Sequence, residues 1–312
     1  MALLDLTQRR LVIVTGKGGV GKTTIAAALA RNFALGGKRV LCAEIAAHED
    51  TPSALSPALG GRALTDEPVS LGKDIWGCLL TPSMGHRRFL QDTLPMKLLA
   101  DAAMRSQGLR RFLMAAPGFS DMGVMYRMMD LMRRQRPNGS FEFEHCVIDS
   151  PATGHALALA QIPDLLTRVI PGGPILRAAK EGLGMLTDEK LCATLVVTLP
   201  ETLPVTESLE LSKGLRKHRL PVAGVLVNRV PADPFSAGER AAVTAVLSGG
   251  EGVLGHREMQ RIARATTAIA YLRERTPHEF ITLPELDATG ADLSLQLAKL
   301  LSPSSSPPPV SQ

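Results

Sequence analysis

The chain has 312 residues, 45% of them hydrophobic and 21% charged, with a formal charge of +5 spread along its length. This is ordinary globular composition, sufficient for one large α/β domain, and short basic runs such as Arg133, Arg134 and Arg136 read as a solvated helix face rather than a nucleic-acid surface. Cys42, Cys78, Cys146 and Cys192 form no Cys-x-x-Cys pair, which argues against a disulfide framework or a zinc site, and no apolar stretch approaches a membrane span. The expectation is a cytoplasmic protein with no nucleic-acid partner and no stable membrane insertion.

In chain order, Leu11 to Thr15 is a compact apolar run ending in glycines, the mark of a buried strand. From Thr23 to Leu35, Ile25, Ala26, Leu29, Ala30 and Phe33 recur at helical spacing, and Gly36-Gly37 stops that helix before a strand over Arg39 to Ile45. Strand, helix and strand in this compass make a βαβ unit, so the sheet is parallel there. Phe143 to Asp149, Ala193 to Leu199, Val222 to Asn228 and residues 279–283 read as further strands, with a helix near 290–301. Met84 to Met132 is helical in pattern and carries nine of the twelve methionines. The predicted organisation is a single phosphate-loop domain over 1–301, with a helical insert at about 84–136 and a disordered Ser/Pro-rich tail at 302–312.

Gly16-Lys17-Gly18-Gly19-Val20-Gly21-Lys22-Thr23 satisfies G-x-x-x-x-G-K-[ST], and it stands between an apolar strand and the mouth of a helix. Glycines allow backbone N–H groups to close around a phosphate, and the helix N-terminus adds its positive dipole end. The pattern predicts a nucleotide site over Gly16 to Thr24, with Lys22 on the β- and γ-phosphates of ATP and the Thr23 hydroxyl on Mg²⁺. Cys146-Val147-Ile148-Asp149 is an apolar strand ending in an acid, placed to hold the metal through its water shell.

The loop G-K-G-G-V-G-K-T-T resembles the deviant phosphate loop of the family that includes ArsA, the MinD/ParA positioning ATPases and the nitrogenase iron protein. In that family the early lysine, matched by Lys17, reaches across a dimer interface to the partner's nucleotide, so the resemblance implies a homodimer or a heterodimer with a related ATPase. Asp149-Ser150-Pro151-Ala152-Thr153-Gly154-His155 resembles the switch II of the ArsA branch, which covers the arsenite-pump ATPase and the ATPase that targets tail-anchored membrane proteins. Pro200 to Glu207 resembles its P-E-x-x-P-x-x-E stretch, Pro117-Gly118 its P-G-x-x-E element with Asp121 in place of the usual acid, and Val227-Asn228-Arg229 the strand end whose asparagine reads adenine.

Two departures accompany the likeness. Ala46 stands where the family keeps the switch I aspartate that positions the attacking water; Glu44, His48, Glu49 and Asp50 are the nearby groups that could substitute. The zinc and arsenite cysteines of the two named branches are also missing. The expected function is an ATP-binding, nucleotide-switched dimeric ATPase of ArsA type that carries or docks a partner, its hydrolysis slowed by the missing aspartate. The alternatives are a hydrolysis-deficient scaffold subunit paired with a related ATPase, and a MinD/ParA-like positioning ATPase. Met122, Met125, Met129 and Met132, with Met128 beside them, form a stripe open to two readings: a groove for a protein client, or this chain's own core.

Overall fold

The computed structural model describes residues 6–46, 52–93, 118–151, 157–159, 161, 172–247 and 255–302. Within them an eight-stranded sheet runs in the order β3-β4-β2-β5-β1-β6-β7-β8. Its strands are β1 (Leu11–Gly16), β2 (Val40–Ile45), β3 (Val69–Gly72), β4 (Ile75–Leu80), β5 (His145–Asp149), β6 (Cys192–Thr198), β7 (Val222–Val230) and β8 (Phe280–Pro284). Every neighbouring pair is parallel except β3 with β4. The α/β class expected from the sequence is the fold observed. The β3–β4 hairpin is an addition: β3 is only four residues long and alternates between half-buried and exposed, β4 is an apolar run of six, and the chain turns between them at Lys73-Asp74.

β1, β5 and β6 are buried along their whole length, as strands covered on both faces must be. On one face, α1 (Lys22–Leu35), the short α2 (Leu55–Leu59) and α9 (Gly290–Leu300) pack over Val12, Val14, Val147, Leu195 and Val197. On the other lie α3 (Pro82–Thr93), α4 (Phe119–Arg133) and α5 (Pro174–Thr187), followed by α6 (Thr202–Lys217) and α8 (His256–Arg275); α7 is Ala237–Leu247.

The methionine stripe lies inside this second layer. Met122, Met125, Met128, Met129 and Met132 are all buried, packed with Leu11, Ile13, Leu41, Leu80 and Ile148 of the sheet. The docking reading of this stripe is therefore corrected to core. A client groove made of these side chains is closed by the chain's own sheet; residues 94–117 of the insert lie outside the described residues. Methionine fits this role because its flexible thioether fills irregular gaps, as where Met125 occupies the space over Gly182 of α5. α3 and α4 approach so closely that a Cβ on Gly85 would lie 1.7 Å from the Gly123 carbonyl oxygen. Beside that crossing, the His86 Nε2 hydrogen-bonds the Phe119 carbonyl at 2.7 Å.

Arg127 of α4 is fully buried and ion-paired with Asp130 and Glu67, the latter also bound by Arg88 and Arg134. Partial burial pushes the Glu67 carboxyl up, but hydrogen bonds and charge from Arg134, Arg127 and Arg88 together hold it at about 2. Glu67 thereby ties the segment before β3 to the helical layer. All four cysteines are buried as free thiols. Burial pushes Cys78, Cys146 and Cys192 up to about 12, and Cys42 well above the ordinary thiol value.

Candidate nucleotide site

Parallel strands bring their carboxyl ends to one edge of the sheet, where ligands of open α/β folds bind. Gly16 of β1, Ala46 just after β2, Asp149 of β5, Thr198 of β6 and Asn228 of β7 all reach that edge. The loop from Gly16 to Gly21 leaves β1 there and enters α1 at Lys22.

Its glycines divide into two kinds. A Cβ on Gly16 (φ 147°) would meet the Val197 carbonyl oxygen at 2.2 Å, and one on Gly21 (φ 94°) the Asn228 Nδ2 at 2.5 Å; these two allow the loop to lie against β6 and β7. A Cβ on Gly18 or Gly19 would meet nothing within 4 Å, so these two face open space. Close packing behind and room in front are what a backbone cradle for an anion requires. Val20 tucks into the core, and Thr24 follows on the first turn of α1.

Lys22 is buried, and its Nζ donates to the Lys17 carbonyl at 2.9 Å. Burial lowers its pKa and the Asp149 charge opposes that shift. The Thr23 hydroxyl hydrogen-bonds the Asp149 carboxylate. Asp149 is pushed up to about 7, chiefly by burial and further by Glu44 in register on β2, against the lowering effects of Thr23 and Lys22. Its Oδ1 has no hydrogen-bond partner among the described residues. An orphaned carboxylate oxygen beside a hydroxyl is the hard oxygen donor set a magnesium ion takes, so the residues fit that metal.

Lys17 does not point into solvent alone: its Nζ is ion-paired with Glu207 of α6, within the Pro200–Glu207 stretch. The second Glu207 oxygen is buried without a partner among the described residues. This cis pairing is invisible to a motif reading, because 190 positions separate the two residues.

The switch I end of β2 is also defined. Ala46 is buried and its N–H donates to the Leu80 carbonyl at 3.2 Å. Glu44 has both oxygens engaged: one accepts from the Ser53 hydroxyl at 2.6 Å and the Leu55 N–H at 3.1 Å, the other from the Ala54 N–H at 3.1 Å. It caps α2 and is committed to that task. His48, Glu49 and Asp50 lie outside the described residues, as do Ala152 to His155 of switch II.

A parallel α/β sheet, a glycine loop from its central strand into a buried helix, and a carboxylate on the adjacent strand define the phosphate-loop class of nucleotide-binding folds. The ArsA_ATPase family model, described as anion-transporting ATPase, matches residues 9–172, just over half of the chain, and the protein belongs to that family. It is 32% identical to "ATPase BagA" of Mycobacterium tuberculosis over 72% of this chain; the match spans 66% of that protein, just under two thirds. It is 24% identical to "ATPase GET3" of Eremothecium gossypii, covering 73% of this chain and 74% of that one. With "ATPase ARSA1" of Chlamydomonas reinhardtii it shares 23% identity over 72% of this chain and 35% of that protein. Among the described residues no helix is long and apolar enough to cross a membrane.

Proposed function

We propose that the chain is a nucleotide-switched ATPase that binds Mg-ATP in the loop Gly16–Thr24 and pairs with a second subunit when ATP is bound. The observation that carries this reading is the convergence of Lys22, Thr23 and Asp149 at the mouth of α1. Lys22 exchanges the Lys17 carbonyl for the β- and γ-phosphates, and the open-faced Gly18 and Gly19 admit them. The Thr23 hydroxyl, and Asp149 through water, would hold Mg²⁺, which when bound would supply charge neutralisation on the phosphates. Asn228 stands at the expected adenine side, and Lys17 is the group for the partner's nucleotide once it leaves Glu207. A client or docking partner at the helical insert would not bind through the buried methionines.

A second reading, a nucleotide-binding subunit with little turnover of its own, is favoured by one specific arrangement. Ala46 offers no carboxylate, and Glu44 is spent on capping α2. Mg-ATP titration and phosphate release, each on wild type and Ala46→Asp, test both readings. The expected result is tight binding by both proteins, slow release by wild type, and at least about tenfold faster release by the variant, since positioning groups contribute about 10²–10⁴. Absence of ATP binding by wild type would sink the first reading. Fast wild-type hydrolysis would sink the second.

A further inference from the structure

The sheet has two edges, and the phosphate loop uses only one. β2, β5, β1, β6 and β7 are parallel neighbours, so their first residues lie side by side along the opposite edge, across about 20 Å at the usual strand spacing. α1, α6 and α9 run back from the nucleotide edge and end there too.

Cations collect along this amino edge. Arg9-Arg10 leads into β1, Lys38-Arg39 into β2, and Arg216-Lys217-His218-Arg219 into β7, with no acid among them. The acids stand before β5 and β6. Glu144 is ion-paired with Lys38 at 3.4 Å and Arg39 at 3.2 Å, with Glu142 beside it. The Asp188 carboxylate accepts the Lys190 N–H of its own turn at 2.8 Å, with Glu189 between them. Arg136, Arg216, Lys217 and Arg219 are exposed and make no ion pair among the described residues.

The dipole of α6 accounts for Arg216 and Lys217, which oppose the carbonyl end of their own helix. It does not account for the apolar side chains set among these cations. Leu35 at the end of α1 is 61% exposed, Phe141 before β5 is 40% exposed, and Leu300 at the end of α9 is 37% exposed. They are three of the six large hydrophobic side chains exposed among the described residues. The Asn32 amide donates to the Ala298 carbonyl at 2.9 Å and so ties the ends of α1 and α9 together. The Arg10 guanidinium lies 3.4 Å from the centroid of the Phe141 ring, and Arg39 donates to the Phe141 carbonyl at 3.1 Å. The ring is thereby held at the surface between two cations.

Cations around exposed leucine and phenylalanine match the two layers of a bilayer interface, phosphate outside and acyl chain beneath. A nucleic-acid backbone would use the same cations but offer an aliphatic chain such as Leu35 nothing. We propose that the amino edge of the sheet is a docking surface for an anionic lipid bilayer, with the basic side chains at headgroup phosphates and Leu35 and Phe141 entering the acyl boundary. The contact is peripheral and reversible. It leaves the nucleotide edge free to pair, and it follows from the topology whether or not ATP binds there.

The experiment is vesicle flotation of the full chain with phosphatidylcholine alone and with phosphatidylcholine and phosphatidylglycerol in equal parts, at low and high salt. Wild type should float with the anionic vesicles only and be released by salt. Arg216→Gln with Lys217→Gln should weaken partition about tenfold, and Leu35→Ser about threefold, with melting temperatures unchanged. Arg257→Gln with Arg264→Gln, the same charge loss on exposed positions of α8, should float as wild type does. Failure of wild type to bind anionic vesicles would overturn the proposal, as would equal binding to both compositions. Equal loss in the two arginine-lysine and arginine-arginine pairs would reduce the effect to net charge and overturn it too. A short DNA duplex and a short RNA serve as competitors: binding to either that Leu35→Ser leaves intact, without vesicle binding, would assign the edge to nucleic acid instead.

Discussion

The loop edge and the α3–α4 layer are both rich in residues without bulky rigid side chains, yet they keep their shape in opposite ways. The loop is held by backbone: the Val20 and Lys17 carbonyls are pinned from behind by Asn228 and Lys22, and its front is left empty over Gly18 and Gly19. The helical layer is held by side chains and contact: five methionines fill the sheet's surface, and Gly85 and Gly123 let two helices touch. The loop is thus stable without being full, and the helical layer is stable only because it is full. Damage to the first should register in ligand binding, damage to the second in folding.

The largest effect that could break this contrast lies in the helical layer. Met125→Gln with Met129→Gln buries two amides without partners, each worth about 1–3 kcal/mol. Thermal melting should fall steeply while the folded fraction binds ATP as wild type does. A double variant that melts normally would show the stripe to be solvent-facing. Next in size, Lys22→Ala should weaken ATP about ten- to hundredfold, the worth of a charged hydrogen bond, with little change in melting temperature. Unchanged affinity by calorimetry would remove Lys22 from the site.

Asp149→Asn sharpens the comparison through pH. The folded carboxyl titrates at about 7, above its ordinary value of 3.8, so folded protein holds the extra proton between those limits. Wild-type stability without ligand therefore falls as pH rises from about 4 to about 7, and the full penalty is present above that. Asn228 and Lys22 being untouched, Asp149→Asn should raise the melting temperature at pH 8, by an amount equivalent to about 2–4 kcal/mol, and give no gain near pH 4. Equal melting at pH 8 would mean the carboxylate is already compensated. The smallest effect is expected from Glu207→Gln, which releases Lys17. Stability should change by less than about 1 kcal/mol, since the pair is partly exposed. Light scattering with a non-hydrolysable ATP analogue should show severalfold stronger self-association, and weaker association would refute Lys17 as a group held back for a partner.

The two regions also differ in how far the sequence reveals them. The glycines and Lys22 are local requirements: a backbone that turns around an anion needs those residue types at that spacing, so the loop, its strand and its helix are readable as a string. β2, β5, β6, β7 and β8 are likewise visible as largely apolar runs, each found within a residue or two of its observed ends, whereas β3 and β4 were not read as strands. A stripe of methionines states only that one helix face is apolar, and burial depends on β1, β2 and β5, which lie far off in the chain. The Lys17–Glu207 and Asn228–Val20 contacts were hidden for the same reason, since each joins residues more than 180 positions apart. Glu44 illustrates the converse: its proximity to Ala46 suggested a substitute carboxylate, whereas its real partners, Ser53, Ala54 and Leu55, follow only from how the chain folds back.

The four cysteines make the folded molecule chemically silent toward thiol reagents. Each is shielded from solvent and held as the neutral thiol, while reaction requires exposed thiolate. Cys42, Cys78, Cys146 and Cys192 stand on four different strands, from β4 on one side of β1 to β6 on the other. A maleimide pulse would therefore label the chain only when that part of the sheet opens. The protein carries its own clock for strand separation, readable by mass, and a single cysteine introduced at the surface would report alone without removing the native ones.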